Sequence, residues 1–465
     1  MYIESKVSLF VFHKNYKILR TTLLSLLIFV CFGNTVWTAE PYLMINGQKV
    51  FQIGWYTRSP QSNSSKDYID EPAANSLDFI LPYDIWSSGT AYVTSVLNYA
   101  QSKGIKVLLH GTWTSDSSVL AARINAVKNH AAVYGYYLYD EPELDGTTPA
   151  QLLERYNAIK ALDSNPNHPI ITTFTSMLIQ GKGDRITPYL PATDIQAIDC
   201  YMVHADEIEL QPNLAMITVE TKLGVARGQS AGKNGFIIVP PFCKGGAGRG
   251  YRIPTYKEMR YLCFAPVTVG AGGVLPWIFG TWGSAPPDQF SSTAVDRAGS
   301  ANPVFTELQA IRPYLVQESA GLGASSLIGD QLVAGTYGST YGLQKVTYTI
   351  RGNSSEAVLI AANNTTGTLN NVDFHITGMN TSATKISVMS EQRVIELKNG
   401  VFTDTFNGPY SIHVYKLTAP SICGDIGTVY LDADLNKDCY VDIMDLKVLA
   451  EQWLRCSDPA NSSCN

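Results

Sequence analysis

The chain has 465 residues, of which 45% are hydrophobic and only 16% are charged. A chain of this length and composition is too long for one small domain and apolar enough for a large core, so we expect two or three domains. Its net charge of −6 argues against a nucleic-acid partner, because no basic stripe is available to displace counterions from phosphates.

The N-terminal residues 1–39 are typical of a signal peptide. Basic residues precede an apolar run at 23–32, and small residues then lead to a predicted cleavage after Ala39. The run is shorter than the roughly 20 apolar residues that a membrane-spanning helix needs. Cys31 leaves a lipoprotein anchor as an alternative. We expect the mature protein to be soluble and exported, as a secreted, periplasmic or cell-surface protein without membrane contact after cleavage.

Residues 40–318 alternate between strand and helix patterns. An Asn46-Gly47 turn between two apolar runs predicts a hairpin at the start, and the second run leads into the first strand. The predicted strands are 51–56, 77–81, 106–109, 134–140, 169–175, 195–201, 236–239 and 273–279. Eight strands alternating with helices over about 275 residues match an α/β protein with a (β/α)8 TIM barrel. A doubly wound open sheet is the alternative, but the chain lacks its glycine-rich phosphate loop.

The pattern changes after the barrel. Residues 319–418 contain short runs rich in Val, Ile, Thr and Tyr, separated by Gly and Asn clusters and without a helical period. These features predict an all-β sandwich domain. Residues 423–465 then form a third, much smaller domain.

The small C-terminal domain contains the most specific local motif of the chain. Residues with oxygen ligands occupy positions 1, 3, 5, 7, 9 and 12 of a calcium loop, namely Asp434, Asn436, Asp438, Tyr440 through its carbonyl, Asp442 and Asp445. The spacing predicts a structural calcium ion, followed by a helix over 446–454. Position 6 is Cys439 rather than Gly, and position 12 is Asp rather than Glu. An acidic surface turn is the alternative interpretation.

This segment resembles the dockerin-type modules, of the EF-hand kind, that are appended to secreted polysaccharide-degrading enzymes. Typical dockerins carry two such repeats, and one is visible here. The resemblance implies a cohesin-like or cell-surface partner. Four cysteines in an exported small domain predict two disulfides with three possible connectivities, of which we favour Cys439–Cys456 and Cys423–Cys464.

The fourth predicted strand ends in three residues that suit a functional site, Asp140, Glu141 and Pro142. Parallel α/β proteins place their chemistry at the carboxyl ends of strands, so we expect the barrel to present Glu141 to a ligand. Asp84 and Asp199 are acids at the ends of two other strands. Side chains beside strand ends that suit sugar stacking or hydrogen bonding are His110, Trp113, Tyr201, Trp277 and Trp282.

Stretches from 42 to 417, among them YGYYLYDEP and GVLPWIF, resemble the TIM-barrel glycoside hydrolases. In the retaining clan of this fold the fourth strand ends in Asn-Glu-Pro, and its Glu is the acid/base. The resemblance implies that Glu141 is the general acid/base for cleavage of O-glycosidic bonds in a polysaccharide or oligosaccharide, without a catalytic cofactor. The clan's nucleophile, a Glu at the end of the seventh strand, has no counterpart here. Asp84 or Asp199 then becomes the second carboxylate, in an inverting or non-standard mechanism.

Asp140 has two interpretations. It can raise the pKa of Glu141 by like-charge repulsion and contact the substrate. Alternation along a strand instead places it on the opposite face, where it binds backbone or an arginine behind the barrel.

The sequence is also compatible with functions other than glycoside hydrolysis. The main alternative is a non-catalytic carbohydrate-binding or cell-surface barrel without a nucleophile, and a second carboxylate facing Glu141 would discriminate the two. Metal-dependent hydrolysis is disfavoured because neither HxH nor HExxH occurs. Two further possibilities are a Cys-His nucleophile and a disulfide between Cys200 and Cys243. Apolar packing is the competing interpretation of these cysteines.

Overall fold

The computed structural model describes residues 40–58, 66–83, 85–110, 114, 116–176, 184–203, 213–233, 235–240, 253–278, 301–319, 321–335, 339–379, 385–418, 431–438 and 440–453. Residues 40–465 belong to one compact unit. The predicted signal peptide and the four C-terminal cysteines lie outside the described residues. Among the helices that are described, none combines the length and apolar character needed to span a membrane.

The described chain begins with the predicted hairpin. Strands β1 (Leu43–Ile45) and β2 (Gln48–Val50) pair antiparallel around Asn46 and Gly47. Both turn residues have positive φ angles, 48° and 71°, which Asn and Gly tolerate better than other residues. The Asn-Gly prediction is confirmed.

Eight parallel strands then close into a barrel, in the spatial order β10-β3-β4-β5-β6-β7-β8-β9. They are β3 (Gln52–Arg58), β4 (Phe79–Tyr83), β5 (Lys106–Leu109), β6 (Val133–Asp140), β7 (Ile170–Thr175), β8 (Ile195–Asp199), β9 (Phe236–Val239) and β10 (Gly273–Val274). The predicted (β/α)8 barrel is confirmed and the open sheet is wrong, because β10 pairs with both β9 and β3. The eighth strand is shorter than the predicted 273–279.

Helices connect most of these strands. They are α1 (Asp67–Ala74), α2 (Gly89–Ser102), α3 (Ser117–Val127), α4 (Pro149–Leu162), α5 (Met216–Ser230), α6 (Tyr256–Val267) and α7 (Asn302–Leu315), with 3-10 turns at Ile85–Ser88 and Thr187–Ala192. Helix α1 has no counterpart among the predicted elements, because it is only eight residues long and contains Pro72. Helices α4 and α6 begin with capping boxes, Thr148 with Gln151 and Thr255 with Glu258.

The second domain is the predicted β domain. Its strands are β11 (Gly323–Ser325), β12 (Asp330–Ala334), β13 (Thr340–Gln344), β14 (Val346–Gly352), β15 (Glu356–Asn363), β16 (Leu369–Thr377), β17 (Lys385–Val388), β18 (Arg393–Glu396), β19 (Val401–Phe406) and β20 (Ile412–Thr418). A five-stranded sheet, β14-β15-β20-β17-β18, shares one buried core with the three-stranded sheet β11-β16-β19. Strands β12 and β13 form a separate hairpin.

Of the C-terminal segment, the structure describes a loop and helix α8 (Ile443–Gln452). Asp442 caps the helix by accepting the Met444 N–H, and it forms a capping box with Asp445. The predicted helix is confirmed, although it begins three residues earlier than the apolar pattern suggested.

Candidate active site at the carboxyl end of the barrel

The carboxyl ends of β6, β7 and β8 bring two acids to the same opening. Asp140 ends β6 opposite Thr173, and Asp199 ends β8 opposite Thr175 on the shared neighbour β7. Ala197 belongs to the inner core of the barrel, so Asp199, two residues later, also points inward. Two strand spacings, about 10 Å, separate β6 from β8, and the side chains of both acids lie on the inner side of the barrel.

Asp140 lies inside the barrel and is held by two tyrosines. Tyr137 donates to Oδ1 at 2.5 Å, and Tyr83 donates to Oδ2 at 3.0 Å. Tyr56 in turn donates to the Tyr137 hydroxyl at 2.9 Å and shares a 2.8 Å hydrogen bond with Thr173. The interpretation of Asp140 as a residue behind the barrel is therefore wrong.

A bulge in β6 explains why the regular alternation of side chains between the two faces of a strand does not hold at Asp140. The register between β6 and β7 shifts between Tyr137 and Tyr139, so one extra residue is accommodated on β6. Residues three apart normally point to opposite faces of a strand, whereas Tyr137 and Asp140 share the inner face. Tyr139 points the other way and donates to Asp145 near the surface.

Asp199 occupies the more enclosed position. Its side chain is almost fully buried and hydrogen-bonds to Tyr201, and its Oδ1 atom has no hydrogen-bond partner among the described residues. Burial raises the pKa of Asp199 well above its usual range, and the charges of Asp140 and Glu141 raise that pKa further. Burial also raises the pKa of Asp140, although the hydrogen bonds from Tyr137 and Tyr83 oppose this effect.

Glu141 directly follows the strand and is half-buried. Its φ angle of 49° lies in the left-handed region, which a glutamate adopts only when surrounding contacts hold it there. The Glu141 N–H donates to the Thr173 carbonyl at 2.8 Å, which provides one such contact. Glu141 thus leaves the strand at a turn, and its charge still acts on Asp199.

Glu143 is a third buried acid in this region, and it is not among the site residues predicted from the sequence. Its Oε1 atom accepts the Thr175 N–H at 2.6 Å, which ties the loop after β6 to the end of β7. Burial is the main cause that raises the pKa of Glu143 from 4.5 to about 7, and the charges of Glu141 and Asp140 contribute. The sequence DEPE did contain a signal for a role of Glu143. Three carboxyls within four residues cannot all be solvated in a buried turn, so at least one of them needs a partner in the protein.

Aromatic side chains surround the acids. His110 is buried, with its ring centroid 4.6 Å from that of Tyr83 and 5.2 Å from that of Tyr137. Burial lowers the pKa of His110 to about 4, so the imidazole is neutral at neutral pH. Tyr201 and half-buried Trp277 stack with centroids 5.2 Å apart and planes 20° from parallel. A cis peptide bond joins Trp277 to Ile278.

The structure therefore brings together Asp140, Glu141, Asp199, His110, Tyr201 and Trp277 at the barrel opening. The predicted site residues Asp84, Trp113 and Trp282 lie outside the described residues, as does Cys243. Cys200 is a buried free thiol that packs behind the site. The phenols of Tyr83 and Tyr137, and that of Tyr56 behind them, were missed, because nothing local in the sequence marks these residues as part of a hydrogen-bond network around an acid.

The C-terminal loop is organised around Asp445. Its carboxylate accepts backbone N–H groups from Leu435 at 2.6 Å and Asp442 at 2.8 Å. Asp434, at position 1, accepts the Asp438 N–H at 3.2 Å. The donor set of carboxylate, amide and carbonyl oxygens suits calcium by its chemistry. In the part of the chain that is described, however, no three His, Cys, Asp or Glu side chains converge to hold a metal ion, so calcium binding stays a prediction.

Several solved structures are similar in fold to this chain. A structure titled "Glycoside hydrolase" is 11% identical, with a TM-score of 0.50 over 82% of this chain and 96% of that one. An Anoxybacillus alpha-amylase is 10% identical, with a TM-score of 0.48 over 80% of this chain and 98% of that one. The endo-beta-1,4-mannanase from Thermotoga petrophila is 12% identical, with a TM-score of 0.42 over 78% and 93%.

No family model matches the sequence, and no curated protein matches it. At 11% identity, the similarity to the first of these structures establishes a shared fold. The site itself carries the functional argument.

Proposed function

We propose that this chain is a secreted glycoside hydrolase that cleaves O-glycosidic bonds in a polysaccharide or an oligosaccharide. One observation carries the proposal: at the barrel opening, the buried and inward-facing carboxyl of Asp199 lies close enough to half-buried Glu141 for the charge of Glu141 to raise the pKa of Asp199. Glycosidic cleavage uses such a pair, because one group must hold a proton and the other must be ionised. A carbohydrate substrate also agrees with the names of the similar structures.

Asp199 suits the role of proton donor. Its raised pKa keeps the carboxyl protonated at a pH where an ordinary aspartate is ionised, and a protonated carboxyl can deliver its proton to the leaving oxygen. The resemblance to the retaining glycoside hydrolases implied instead that Glu141 donates this proton. In this proposal Glu141 keeps its place in the acid–base chemistry as the base that activates water, or as the nucleophile. The second carboxylate that the sequence analysis sought is then Asp199 rather than Asp84.

The surrounding aromatic groups suit a sugar. The stacked pair Tyr201 and Trp277 offers a flat apolar surface beside the acids, against which the face of a pyranose ring can pack. Neutral His110 can donate or accept one hydrogen bond without adding charge to the site. In this proposal both features contact the substrate.

Export and attachment complete the proposal. Residues 1–39 act as the signal peptide, and the C-terminal loop binds a structural calcium ion through Asp434, Asn436, Asp438, Tyr440, Asp442 and Asp445. The C-terminal domain then serves a cohesin-like or cell-surface partner. These three assignments are supported by the sequence patterns and by the oxygen-rich donor set of the loop.

The assignment of roles is tested with substrates that differ in their need for a proton. The full mature chain is assayed against a panel of polysaccharides and nitrophenyl glycosides. We expect Asp199→Asn to lower kcat on natural glycosides by about 10²- to 10⁴-fold, and to spare nitrophenyl glycosides, whose leaving group departs without protonation. Glu141→Gln should lose both activities, because its role does not depend on the leaving group.

A matched control is Glu154→Gln, which neutralises an exposed acid on α4 and should leave both activities unchanged. Equal losses on both substrate classes in Asp199→Asn would contradict the role of Asp199 as proton donor. If the wild-type chain retains glycans without cleaving any of them, the carbohydrate-binding alternative replaces the hydrolase.

A further inference from the structure

We infer that Asp140 and Asp199 hold a single proton between them, and that the phenols of Tyr83 and Tyr137 place the charge on Asp140 and the proton on Asp199. Asp140 is then a positioning residue, which acts on the reaction through Asp199. The inference deepens the proposed function and rests on it for its catalytic consequence. The distribution of the proton is a property of the free protein and is measured without substrate.

The contacts of Asp140 favour its ionised form. Each of its two oxygens receives one phenol hydrogen bond, from Tyr137 at 2.5 Å and from Tyr83 at 3.0 Å. A hydroxyl that donates to a carboxylate stabilises the charge, and two such donors leave neither oxygen as the preferred site for a proton. Tyr137 is itself polarised, because its oxygen accepts a hydrogen bond from Tyr56 at 2.9 Å.

The contacts of Asp199 favour its neutral form. It is 8% exposed, and only Tyr201 among the described residues hydrogen-bonds to its carboxyl group. The Oδ1 atom is buried with no donor in that same part of the chain. A buried carboxylate with one unsatisfied oxygen is costly, and protonation removes most of that cost.

No cation compensates the pair within the described ranges, since neither Asp140 nor Asp199 takes part in an ion pair there. The other charged groups that act on Asp199 are Glu141 and Glu143, which are also acids. His110 adds no positive charge, because its ring is buried between Tyr83 and Tyr137. Two facing carboxyls without a cation retain one proton between them, as coupled pairs do. Burial raises the pKa of both carboxyls, which agrees with a pair that retains a proton.

The experiment follows the carbonyl stretch of an un-ionised carboxyl by infrared difference spectroscopy of the full mature chain across pH. We expect a band at neutral pH that is absent from Asp199→Asn and persists in Glu143→Gln, a variant that removes the contribution of the partly protonated Glu143. In Asp140→Asn the negative neighbour is gone, so the band should titrate about 1 to 3 pH units lower. In the double variant Tyr83→Phe/Tyr137→Phe the proton should move from Asp199 to Asp140. In that background, adding Asp140→Asn should remove the band, and adding Asp199→Asn should not.

Tyr136→Phe is the matched control, because it deletes another buried phenol on β6, one that donates to Asp163 on the outer side of the barrel. It should leave the band and its midpoint unchanged. Circular dichroism verifies folding of every variant, and the single Tyr83→Phe variant, which should raise the share of the proton on Asp140, replaces the double variant if that one does not fold.

The inference is overturned if the wild-type chain has no band that Asp199→Asn removes, or if Asp140→Asn leaves its midpoint in place. The proposed function fails separately. A band that behaves as expected in a chain that cleaves no glycoside supports the shared proton and rejects the hydrolase. If the chain cleaves glycosides but Asp140→Asn does not shift the midpoint of the band, only the positioning role of Asp140 is rejected.

Discussion

At the scale of single residues, the environment of the acids decides more than their identity. Asp140 and Glu141 are neighbours in sequence, yet one accepts two phenols inside the barrel and the other turns away at a positive φ angle. Glu143, two residues on, is tied to the Thr175 N–H. Three carboxyls in four residues therefore have three different environments, which the residue types alone do not distinguish.

Glu143 makes stability depend on pH in a direction that can be tested. Its pKa rises from 4.5 to about 7 on folding, so the folded state binds more protons than the unfolded state between these values. Stability contributed below pH 4.5 is lost as pH rises to about 7, by an amount on the order of 3 kcal/mol. We expect Glu143→Gln to flatten this part of the profile, because glutamine keeps an acceptor for Thr175 and does not titrate.

Urea unfolding of wild type and Glu143→Gln at a series of pH values measures the difference. The comparison isolates Glu143, since all other titrating groups are shared. Parallel stability profiles for the two proteins would show that Glu143 is not buried as its neighbours indicate.

At the scale of elements, the loop before α8 shows how a short motif can be organised by one acid. Asp445 accepts N–H groups from the start and the end of the loop, and Asp442 caps the helix. The departures at positions 6 and 12 affect the turn and the length of the last ligand, and they leave the oxygen count of the loop intact.

We expect the full mature chain to bind one calcium ion at this loop, and Asp434→Ala to abolish that binding, because position 1 supplies a carboxylate from inside the loop. Isothermal titration with calcium after chelation measures the stoichiometry. Asp432→Asn is the control, since this exposed acid precedes the loop. Calcium binding that survives Asp434→Ala would assign the ion elsewhere.

At the scale of the whole molecule, a buried polar network joins the barrel to the β domain. Tyr261 on α6 donates to Asn364 at 2.6 Å, and Thr268 donates to Thr347 at 2.7 Å. Arg260 donates to the Ile412 carbonyl across the same boundary. These groups are buried, so each has lost its water and depends on a partner in the other domain.

Removing one partner should therefore destabilise both domains together. We expect Asn364→Ala to lower the free energy of unfolding by about 1 to 3 kcal/mol, because it leaves the Tyr261 hydroxyl without its shortest hydrogen bond. Asn370→Ala, at an exposed position on β16, should change it by less than about 0.5 kcal/mol. Thermal unfolding followed by two probes checks this, and a second transition in Asn364→Ala would show that the domains unfold independently.

The strand and helix order of this protein follows from the sequence by itself. Apolar runs such as 106–109 and 236–239, and the Asn46-Gly47 turn, have local causes, namely side-chain periodicity and the backbone angles that Asn and Gly tolerate. The same reasoning locates Glu141 and Asp199 at strand ends. Helix α1 and the exact end of β10 are not predicted by this reasoning, because packing rather than local preference determines them.

Only the tertiary structure decided how the acids are used. A bulge in β6 turned Asp140 inward, where tyrosines from β4 and β6 donate to its carboxyl and the β3 residue Tyr56 donates to Tyr137 behind them. The burial of Asp199 depends on what the neighbouring strands place around it. Protonation is set by desolvation and by charges from distant parts of the chain, and these are known only when the strands have been brought together in a particular register.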